Sequence, residues 1–328
     1  MGYVGSRSRN LTNSENINQL PDAQLALGAA LGTNVANPYY QKGGVGVLAG
    51  ATVRRSQLLL PFPQFTTVTE SVSNGFSRYN ALTVKVEKRF SRGLTVLTGY
   101  TWSSNWDNLW GASSSLNGGN NGPQDIYNLA PEYARAIDDI PNRFTVATSY
   151  ELPFGRGKTF FGSSGRLVDM FIGGWIVNDV TVVQNGAPLA VSQTNANSIS
   201  GTYGIGGSSQ RPNITGPIGC GKGAPESRLN NYITSAGFTS VAAYGYGNAP
   251  RTTNCYGPGY ANSDVSVDKT FKLTERVNAQ FRAEALNALN TPQFSGLQSN
   301  SISNTNFGKI NAQLGFSRLV QLGGRLTF

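Results

Sequence analysis

The sequence of 328 residues contains no histidine and only two cysteines, Cys220 and Cys255. The missing histidines exclude a Ser-His-Asp triad and every histidine-ligated metal centre, and two cysteines are too few for a cysteine-rich zinc site. The other side chains offer no catalytic, cofactor-binding or metal-ligating constellation. We therefore expect a protein that is not an enzyme and that needs no cofactor or metal.

Charged residues are also scarce, at 13% of the chain, against roughly 25% in an average soluble domain. The formal net charge is +9, but lysines and arginines occur singly or in pairs such as Arg54 and Arg55, so no basic stripe forms. Nucleic-acid binding requires clustered basic residues and is not expected. Glycine is abundant, with 40 residues, which is typical of a chain rich in turns.

Long apolar runs are missing as well, and none approaches the length of about 18 residues that a transmembrane helix needs. The opening stretch MGYVGSRSRN has neither the apolar core nor the cleavage site of a signal peptide. The best helix signal is PDAQLALGAALG, from Pro21 to Gly32, where leucines and alanines follow a proline. From about Gln64 onward the hydrophobic pattern has a period of two, which predicts strands.

The alternation is clearest in YNALTVKVEKRFSRGLTVLTGYTWSSNW. In its first half Leu82, Val84 and Val86 share one face, while Lys85 and Glu87 lie on the other. The SRG tripeptide then forms a tight turn, and the second half returns with the same alternation. NRFTVATSYEL, DVSVDKTFKL and RVNAQFRAEAL follow the same pattern. Each of these segments predicts a strand with one apolar and one polar face.

The predicted strands have about nine to twelve residues, close to the about 9 to 11 of a tilted membrane-spanning strand, whereas soluble strands have about five or six. Tight connections alternate with long polar ones, as in outer-membrane barrels with short periplasmic turns and long extracellular loops. We therefore predict an all-β fold: an antiparallel transmembrane β-barrel portion of about eight strands. Aromatic residues near the strand ends on the apolar face are candidates for the membrane-interface girdles: Phe90, Tyr100, Trp102, Trp106, Phe144, Tyr150 and Phe271.

This topology requires that QNGAP, which would suit a hairpin turn, is instead a kink in one long strand from about Gly174 to Gln193. Two lysines on the apolar faces, Lys88 and Lys269, are expected at the inner strand ends, where their ammonium groups can reach the headgroups. The terminal stretch RLVQLGGRLTF also alternates, and its apolar set ends on the last residue: Val320, Leu322, Gly324, Leu326 and Phe328.

The long polar loops offer few other signals. Cys220 and Cys255 fall in one loop on the oxidising outer side and are a candidate disulfide, with two unpaired thiols as the alternative. The acidic residues of PEYARAIDDIPNR, among them Glu132 and Asp139, lack the spacing of a calcium loop. We expect them to lie in a solvated loop.

The chain resembles the C-terminal barrel of TonB-dependent outer-membrane receptors, in particular the Oar-like group that carries a carboxypeptidase-regulatory-like domain at its N-terminus. The resemblance rests on an ordered set of stretches that spans nearly the whole chain: GYVGSRSRNL, INQLPD, PFPQF, YNALTVKVEKRFSRGLTVLTGYTWS, IPNRFTVATSYELPFGRGK, GGWIVNDVTVVQNGAPLAV, RPNITG, FRAEALNALNTPQF, FGKI and LGGRLTF.

The resemblance implies a barrel of about 22 strands in the Gram-negative outer membrane, filled by an N-terminal plug and energised by the TonB complex. This chain carries no recognisable plug, so residues 1–63 are interpreted as the remnant of an upstream barrel strand plus a loop, and 64–328 as the C-terminal barrel segment. The resemblance also implies that the terminal strand ending on Phe328 is the signal read by the barrel-assembly machinery. Membrane lipid and that machinery are therefore the expected partners, and the TonB complex is a partner only through the plug.

The leading functional hypothesis is a fragment of a TonB-dependent receptor or transporter that takes up or binds a large solute in the full-length protein. The alternatives are a small stand-alone porin-like barrel and a secreted β-rich module for adhesion or carbohydrate binding. Only the porin-like alternative requires these strands to close on themselves, since strand number and shear must agree in a barrel.

Overall fold

The structure is a computed structural model that describes residues 1–91, 93–110, 122–194, 210–274 and 276–328, without the side chains of residues 90 and 91. Long strands dominate the described ranges, as the alternating sequence predicts. We label them β1 Gly2–Asn16, β2 Thr69–Ser91, β3 Leu94–Asp107, β4 Asn142–Glu151, β5 Trp175–Gln184, β6 Tyr260–Lys272, β7 Asn278–Leu286 and β8 Leu319–Thr327.

The eight long strands form one antiparallel sheet in which spatial neighbours are also neighbours in the chain. A ninth, short strand, Ala134–Arg135, adds to the end of β3 by pairing with Trp106 and Asp107. Within the described residues β1 pairs only with β2 and β8 only with β7, so the sheet is open. The prediction of a barrel portion with antiparallel strands is therefore confirmed.

Strand register divides the sheet into two chemically different faces. Val267 lies between Val177 and Ala283, and the next residue, Asp268, lies between Ile176 and Arg282. Because directly opposed residues of an antiparallel pair lie on the same face, the apolar sets of all the long strands combine into one surface. We call this surface the apolar face, and the opposite one the polar face.

The polar face carries charges that pair with each other along and across the strands. Glu87 contacts Lys85 at 3.2 Å on β2, and Arg282 of β7 contacts Asp268 of the neighbouring strand at 3.3 Å and Glu284 at 2.6 Å. These pairs are partly exposed, and pairs of this kind contribute about 0 to 1 kcal/mol each. They identify this face as the one that meets water.

The apolar face has a polar exception that the sequence pattern did not indicate. Asp179, in the middle of β5, lies on this face because it is opposed by Val265 of β6 and Thr148 of β4. Its carboxylate accepts hydrogen bonds from the hydroxyl groups of Thr181 at 3.0 Å and Ser263 at 2.7 Å. These bonds supply the partners that a carboxylate needs when water is scarce.

The connections differ between the two ends of the sheet. At one end, the inner end, β2 is joined to β3 by 92–93 and β6 to β7 by 273–277, and a longer connection, 152–174, joins β4 to β5. At the other end, the outer end, the chain passes through 17–68, 108–141, 185–259 and 287–318. The alternation of short inner and long outer connections agrees with the sequence prediction.

Short elements occur mostly in the connections. The described ranges contain the helices α1 Arg55–Leu58 and α2 Arg166–Ile172 and the 3-10 helices Asp22–Gly32, Gly46–Leu48, Ala130–Glu132 and Pro225–Arg228. They also contain three paired short strands: Asn34–Ala36 with Thr52–Arg54, Asn213–Ile214 with Phe238–Thr239, and Gln293–Phe294 with Gln313–Leu314. None of the helices in the described part of the chain is long and apolar enough to cross a membrane.

Two local predictions require correction. The helix expected from Pro21 to Gly32 is a 3-10 helix that breaks at Gly28, whose φ of 53° and ψ of −131° are not helical. The single kinked strand from Gly174 to Gln193 ends at Gln184. Beyond it the chain pairs with 253–257 through separate contacts, for example from Leu189 N to Cys255 O at 2.8 Å. QNGAP is not a hairpin turn, and the next long strand of the sheet after β5 is β6.

Candidate functional site

The described residues of the outer connections fold together into one layer beyond the outer end of the sheet, which we call the outer-loop layer. Two buried apolar clusters organise it. The first joins Leu20, Leu25, Leu31 and Leu60 to Tyr246, which lies far along the chain. The second is formed by Leu189, Val191, Ile233, Phe238 and Cys255, with Phe307 packed against it. The long connections are therefore folded structure with their own cores.

A buried ion pair links two of these connections. The guanidinium of Arg211 donates to the carboxylate of Glu132, and the two side chains are only 2% and 1% exposed. Burial lowers the pKa of the Arg211 guanidinium, and the attraction of Glu132 opposes that shift. A buried charge is tolerated only when it is paired in this way.

Gln124 extends this pair into a network. Its backbone N–H donates to Glu132 at 3.0 Å, its side-chain oxygen accepts from the backbone N–H of Arg211 at 2.7 Å, and its amide donates to Gly247 O at 2.9 Å. A second buried pair, Arg251 with Asp107, ties the same connection to the end of β3. The layer is thus fixed to the sheet by charged as well as apolar contacts.

The acidic residues of PEYARAIDDIPNR were expected in a solvated loop, and for two of them this was wrong. Glu132 and Asp139 are each only 1% exposed. Asp139 pairs with Arg135 at 2.9 Å and accepts a hydrogen bond from the hydroxyl of Tyr256 at 2.8 Å. Arg135 belongs to the same stretch, four residues before Asp139, but Arg211 and Tyr256 come from elsewhere in the chain, so the local sequence could not reveal them.

Cys220 and Cys255, the candidate pair of the sequence, form a disulfide with their Cα atoms 5.3 Å apart. Cys255 is buried in the second apolar cluster, whereas Cys220 is exposed. The bond therefore attaches an outer segment of the layer to its core. The short strand Phe238–Thr239 lies within the loop that this disulfide closes, and its partner strand Asn213–Ile214 lies just before that loop.

Asp22 and Asp125 bring two carboxyl groups together near the first apolar cluster. Burial raises the pKa of Asp22 from 3.8 to about 6, and the charge of Asp125 and a hydrogen bond to it add to the shift. Gln19 donates to Asp125 at 2.7 Å and to the hydroxyl of Tyr246 at 3.1 Å. Burial raises the pKa of Tyr246 as well. The negative charges of the neighbouring carboxylates also oppose its ionisation and add to the shift.

A cavity of about 580 Å³ opens between the connections. Its walls are formed by 187–192, 251–252, 257–258 and 294–300, with Arg211 also lining it. This size is typical of small-molecule sites, which combine apolar walls with a few polar groups. Here leucine, valine, proline and phenylalanine side chains alternate with serine and asparagine side chains.

Arg211 gives the cavity one specific chemical feature. Both of its terminal nitrogens donate to Glu132, but its Nε is buried without a hydrogen-bond partner. A buried donor without a partner costs about 1 to 3 kcal/mol. Arg211 opens the RPNITG stretch of the sequence, but that stretch alone did not indicate a pairing or a cavity.

The predicted girdle aromatics lie mostly at the strand ends on the apolar face. Tyr100 is directly opposite Phe144, and its hydroxyl donates to Asn142 at 2.6 Å. Trp102 is exposed near them, while Trp106 instead packs against Tyr133 and Arg135 of the outer-loop layer. The Phe90 side chain lies outside the described residues. The remaining two, on strands β4 and β6, lie toward the inner end: Tyr150 and Phe271.

The sequence reasoning missed two aromatic residues of the inner end. Trp175 and Phe281 flank Lys269 on the apolar face, and their rings meet edge to face at 6.5 Å. The expectation that Lys269 extends into the headgroups was wrong. Its side chain is 2% exposed and its ammonium group donates to Phe171 O at 3.0 Å and Gly173 O at 2.5 Å.

The terminal strand has the alternation on which the assembly-signal prediction rests. Its alternate residues are opposed by alanines and a phenylalanine of β7, and its own side chains are exposed along its whole length. The residues of the predicted signal therefore share the apolar face up to the end of the strand, and the last residue follows β8 directly: Val320, Leu322, Gly324, Leu326 and Phe328.

Comparison with a family model agrees with this architecture. The sequence matches the family model for the outer membrane beta barrel domain over residues 1–321. Among solved structures, P. aeruginosa FpvA bound to a heterologous pyoverdine is similar at 10% identity and a TM-score of 0.36, over 83% of this chain and 22% of FpvA. The outer membrane transporter YddB from Escherichia coli is similar at 10% identity and a TM-score of 0.43, over 99% of this chain and 29% of YddB.

The chain thus spans less than a third of either solved structure. No curated protein matches the sequence. The family match covers nearly the entire chain and accounts for the antiparallel strands, their apolar face and their charged face. The chain belongs to the outer membrane beta barrel domain family, and its location is the outer membrane.

Proposed function

We propose that the chain forms part of the barrel wall of a TonB-dependent, Oar-like transporter that takes up or binds a large solute in the full-length protein. The observation that carries this proposal is the two-faced sheet, with its apolar face toward lipid and its polar face toward an aqueous lumen. A transport role accounts for both faces, and we assign no catalytic role to the chain.

The open sheet supports a barrel that is larger than these strands. In the described residues β1 and β8 are the first and last strands of the sheet, and each has one long edge without a strand partner. Unpaired backbone groups cost several kcal/mol each in the hydrocarbon region, which is why membrane sheets close. Additional strands at both edges would satisfy these groups and complete a lumen. In this proposal the barrel-assembly machinery recognises β8, and the TonB complex acts through a plug.

The outer-loop layer supplies a place for solute contact. The cavity of about 580 Å³ has an arginine whose Nε lacks a partner. The serine and asparagine side chains of its walls favour molecules that carry hydrogen-bonding oxygens, for example sugars or carboxylates. The cavity lies beyond the outer strand ends. A solute could bind there before the solute crosses the membrane.

Expression of residues 1–328 alone, beside the full-length gene product, tests the barrel proposal. We expect no ion conductance in planar bilayers from the chain alone, because its sheet edges stay unpaired, and a heat-modifiable, folded band only from the longer product. Conductance and heat-modifiability of the chain alone would contradict the proposal and favour the porin-like alternative. Solubility of the chain without detergent would favour the secreted module.

A substitution in the cavity tests the solute site separately. Gly296 lines the cavity, and a Cβ atom placed there would meet no atom within 4 Å. Gly296→Phe should therefore fill the cavity without disturbing the fold, and should abolish the thermal shift produced by any oligosaccharide or polycarboxylate that binds. Thr305→Phe, at an exposed position of the same connection, is the matched control. Equal ligand shifts in both variants would exclude the cavity as the binding site.

A further inference from the structure

The inner connection, residues 152–174 between β4 and β5, exposes many large apolar side chains. Leu167 and Phe171 of α2 are 77% and 69% exposed. They are four residues apart and therefore lie on the same side of the helix. Val168 on the same helix and Phe160 before it are also exposed. Contiguous exposed apolar side chains usually mark a surface that binds protein or membrane.

This segment is held in a defined conformation. The carboxylate of Asp169 accepts a hydrogen bond from the backbone N–H of Arg156 at 2.5 Å, which ties α2 to the start of the connection. Phe154 and Phe160 pack with ring centroids 5.6 Å apart, and Gly155 N donates to Phe160 O at 3.0 Å. The exposure of the apolar side chains is therefore a property of a folded element.

The end of α2 is fixed against the apolar face of the sheet. Lys269 lies on that face between Trp175 and Phe281, and its ammonium group donates to the carbonyl oxygens of Phe171 and Gly173. The indole N–H of Trp175 donates to Phe171 O at 2.9 Å. The apolar residues of α2 thus continue the lipid-facing surface beyond the inner strand ends, where a bilayer has its interface.

Phe161 adds to this surface at a conformational cost. Its φ is 59°, a left-handed conformation that is rare for bulky residues, and its ring is 64% exposed. Backbone strain of this kind often lies at functional positions. Here the strained backbone presents an aromatic ring to the surroundings of the inner connection.

Basic side chains accompany the apolar ones. Arg156 and Arg166 are exposed, and neither forms an ion pair with a carboxylate of the described residues. A short element with exposed apolar residues and flanking arginines has the composition of segments that lie in a membrane interface. Guanidinium groups are suited to bind the phosphates of lipid headgroups.

We propose that the inner connection is an interfacial anchor that inserts into the inner leaflet of the outer membrane. Leu167 and Phe171 lie among the upper acyl chains, and Arg156 and Arg166 bind phospholipid phosphates. The occupant of this surface is the phospholipid leaflet, which is continuous with the lipid that already covers the apolar face. The anchor requires a membrane location but is independent of solute transport.

Nitroxide labels at single introduced cysteines test this placement in the full-length product, reconstituted in vesicles of phosphatidylethanolamine and phosphatidylglycerol with the native disulfide left oxidised. Leu167→Cys and Phe171→Cys report on the anchor, and Ser163→Cys, exposed in the same connection, is the control. Power saturation compares collisions with oxygen, which concentrates in lipid, and with a water-soluble nickel chelate. Val168→Cys provides an independent label if either of the first two variants fails to fold.

We expect oxygen collisions to dominate at positions 167 and 171 and nickel collisions to dominate at position 163. Nickel dominance at all three positions would overturn the anchor, and low accessibility to both reagents at 167 and 171 would show that a protein covers the surface instead. The double variant Arg156→Ser/Arg166→Ser should move both labels toward water, because it removes the guanidinium groups that bind the phosphates. Unchanged labels in the double variant would overturn the proposed phosphate contact.

Discussion

Arg211 and Glu132 form an ion pair across 79 residues of sequence, inside a layer of connections that carries no membrane-spanning strand. Both side chains are almost completely buried, and Gln124 bonds to the two residues from one side. The pair therefore joins the connection between β3 and β4 to the connection between β5 and β6. The pair holds the outer-loop layer in a single arrangement, and the cavity is a consequence of that arrangement.

Removal of one partner of this pair should open the layer. Glu132→Gln leaves the buried guanidinium of Arg211 without a counter-charge, and the loss of one partner from a buried pair costs about 3 to 5 kcal/mol. Hydrogen exchange of peptides from 122–141 and 210–259 should accelerate accordingly. Lys158→Gln, which breaks the partly exposed pair with Glu151, should cost about 0 to 1 kcal/mol. Equal effects of the two substitutions would contradict the structural role of the buried pair.

The disulfide should matter for the same layer and much less for the sheet. It links residues 35 apart in sequence, and a loop of that size corresponds to about 3 to 4 kcal/mol on the chain-entropy description. Reduction should therefore expose the loop 221–254 to protease while the long strands of the sheet stay protected. In the double variant Cys220→Ser/Cys255→Ser the segment should be open from the start, and reductant should have no further effect. Protection that survives reduction would contradict this prediction.

The strand pattern was predictable from the sequence because alternation and turn chemistry act locally. Along β2 and β3 every second residue shares a face, as the alternation predicts. Val84 lies opposite Tyr100 only because the pairing shifts by one residue between Lys88 and Ser91, and the sequence pattern did not indicate this shift. The same reasoning held for β7 and β8. The alternation predicts β5 less well, because its valines lie on both faces, its isoleucine lies on the polar face and Asp179 lies on the apolar face.

Features that depend on distant partners were not predictable. The end of β5 at Gln184 depends on contacts between 187–189 and 253–257, which no local pattern reveals. The burial of Lys269 depends on two carbonyl groups of the inner connection. A lysine on an apolar face usually extends its side chain so that the ammonium group reaches the headgroups. Here a helix end supplies the partners instead, so the general rule gave the wrong answer.

The outer-loop layer should be more stable at mildly acidic pH than at neutral pH through Asp22. The folded layer raises the pKa of this carboxyl group from 3.8 to about 6, so the folded layer binds its proton more tightly than the opened layer. A raised carboxyl pKa means that ionisation opposes folding. Stability should therefore rise as the pH falls from 7 through 6 and level off near the unfolded pKa of about 4.

Asp22→Asn should remove this dependence and stabilise the layer at neutral pH, since the amide cannot ionise beside Asp125. Urea-induced opening of the layer at several pH values, followed by limited proteolysis, measures the effect. The control is Glu226→Gln, which removes a carboxyl group from another part of the layer and should leave the slope with pH in place. An unchanged slope in Asp22→Asn would assign the pH response to another group.

Lys269 should stabilise the inner end of the sheet through hydrogen bonds rather than through its charge at the membrane surface. Lys269→Met places an apolar side chain between Trp175 and Phe281. It leaves the Gly173 carbonyl without its ammonium donor and the Phe171 carbonyl with the indole N–H of Trp175 alone. A buried acceptor that loses its partner costs about 1 to 3 kcal/mol. Hydrogen exchange in α2 should accelerate, and the barrel should unfold at a lower urea concentration. Lys88→Met, on the same face at an exposed position, removes a lysine that has no such bonds within the described residues. If Lys88→Met destabilised the protein as much as Lys269→Met, the bonds to α2 would not be the cause.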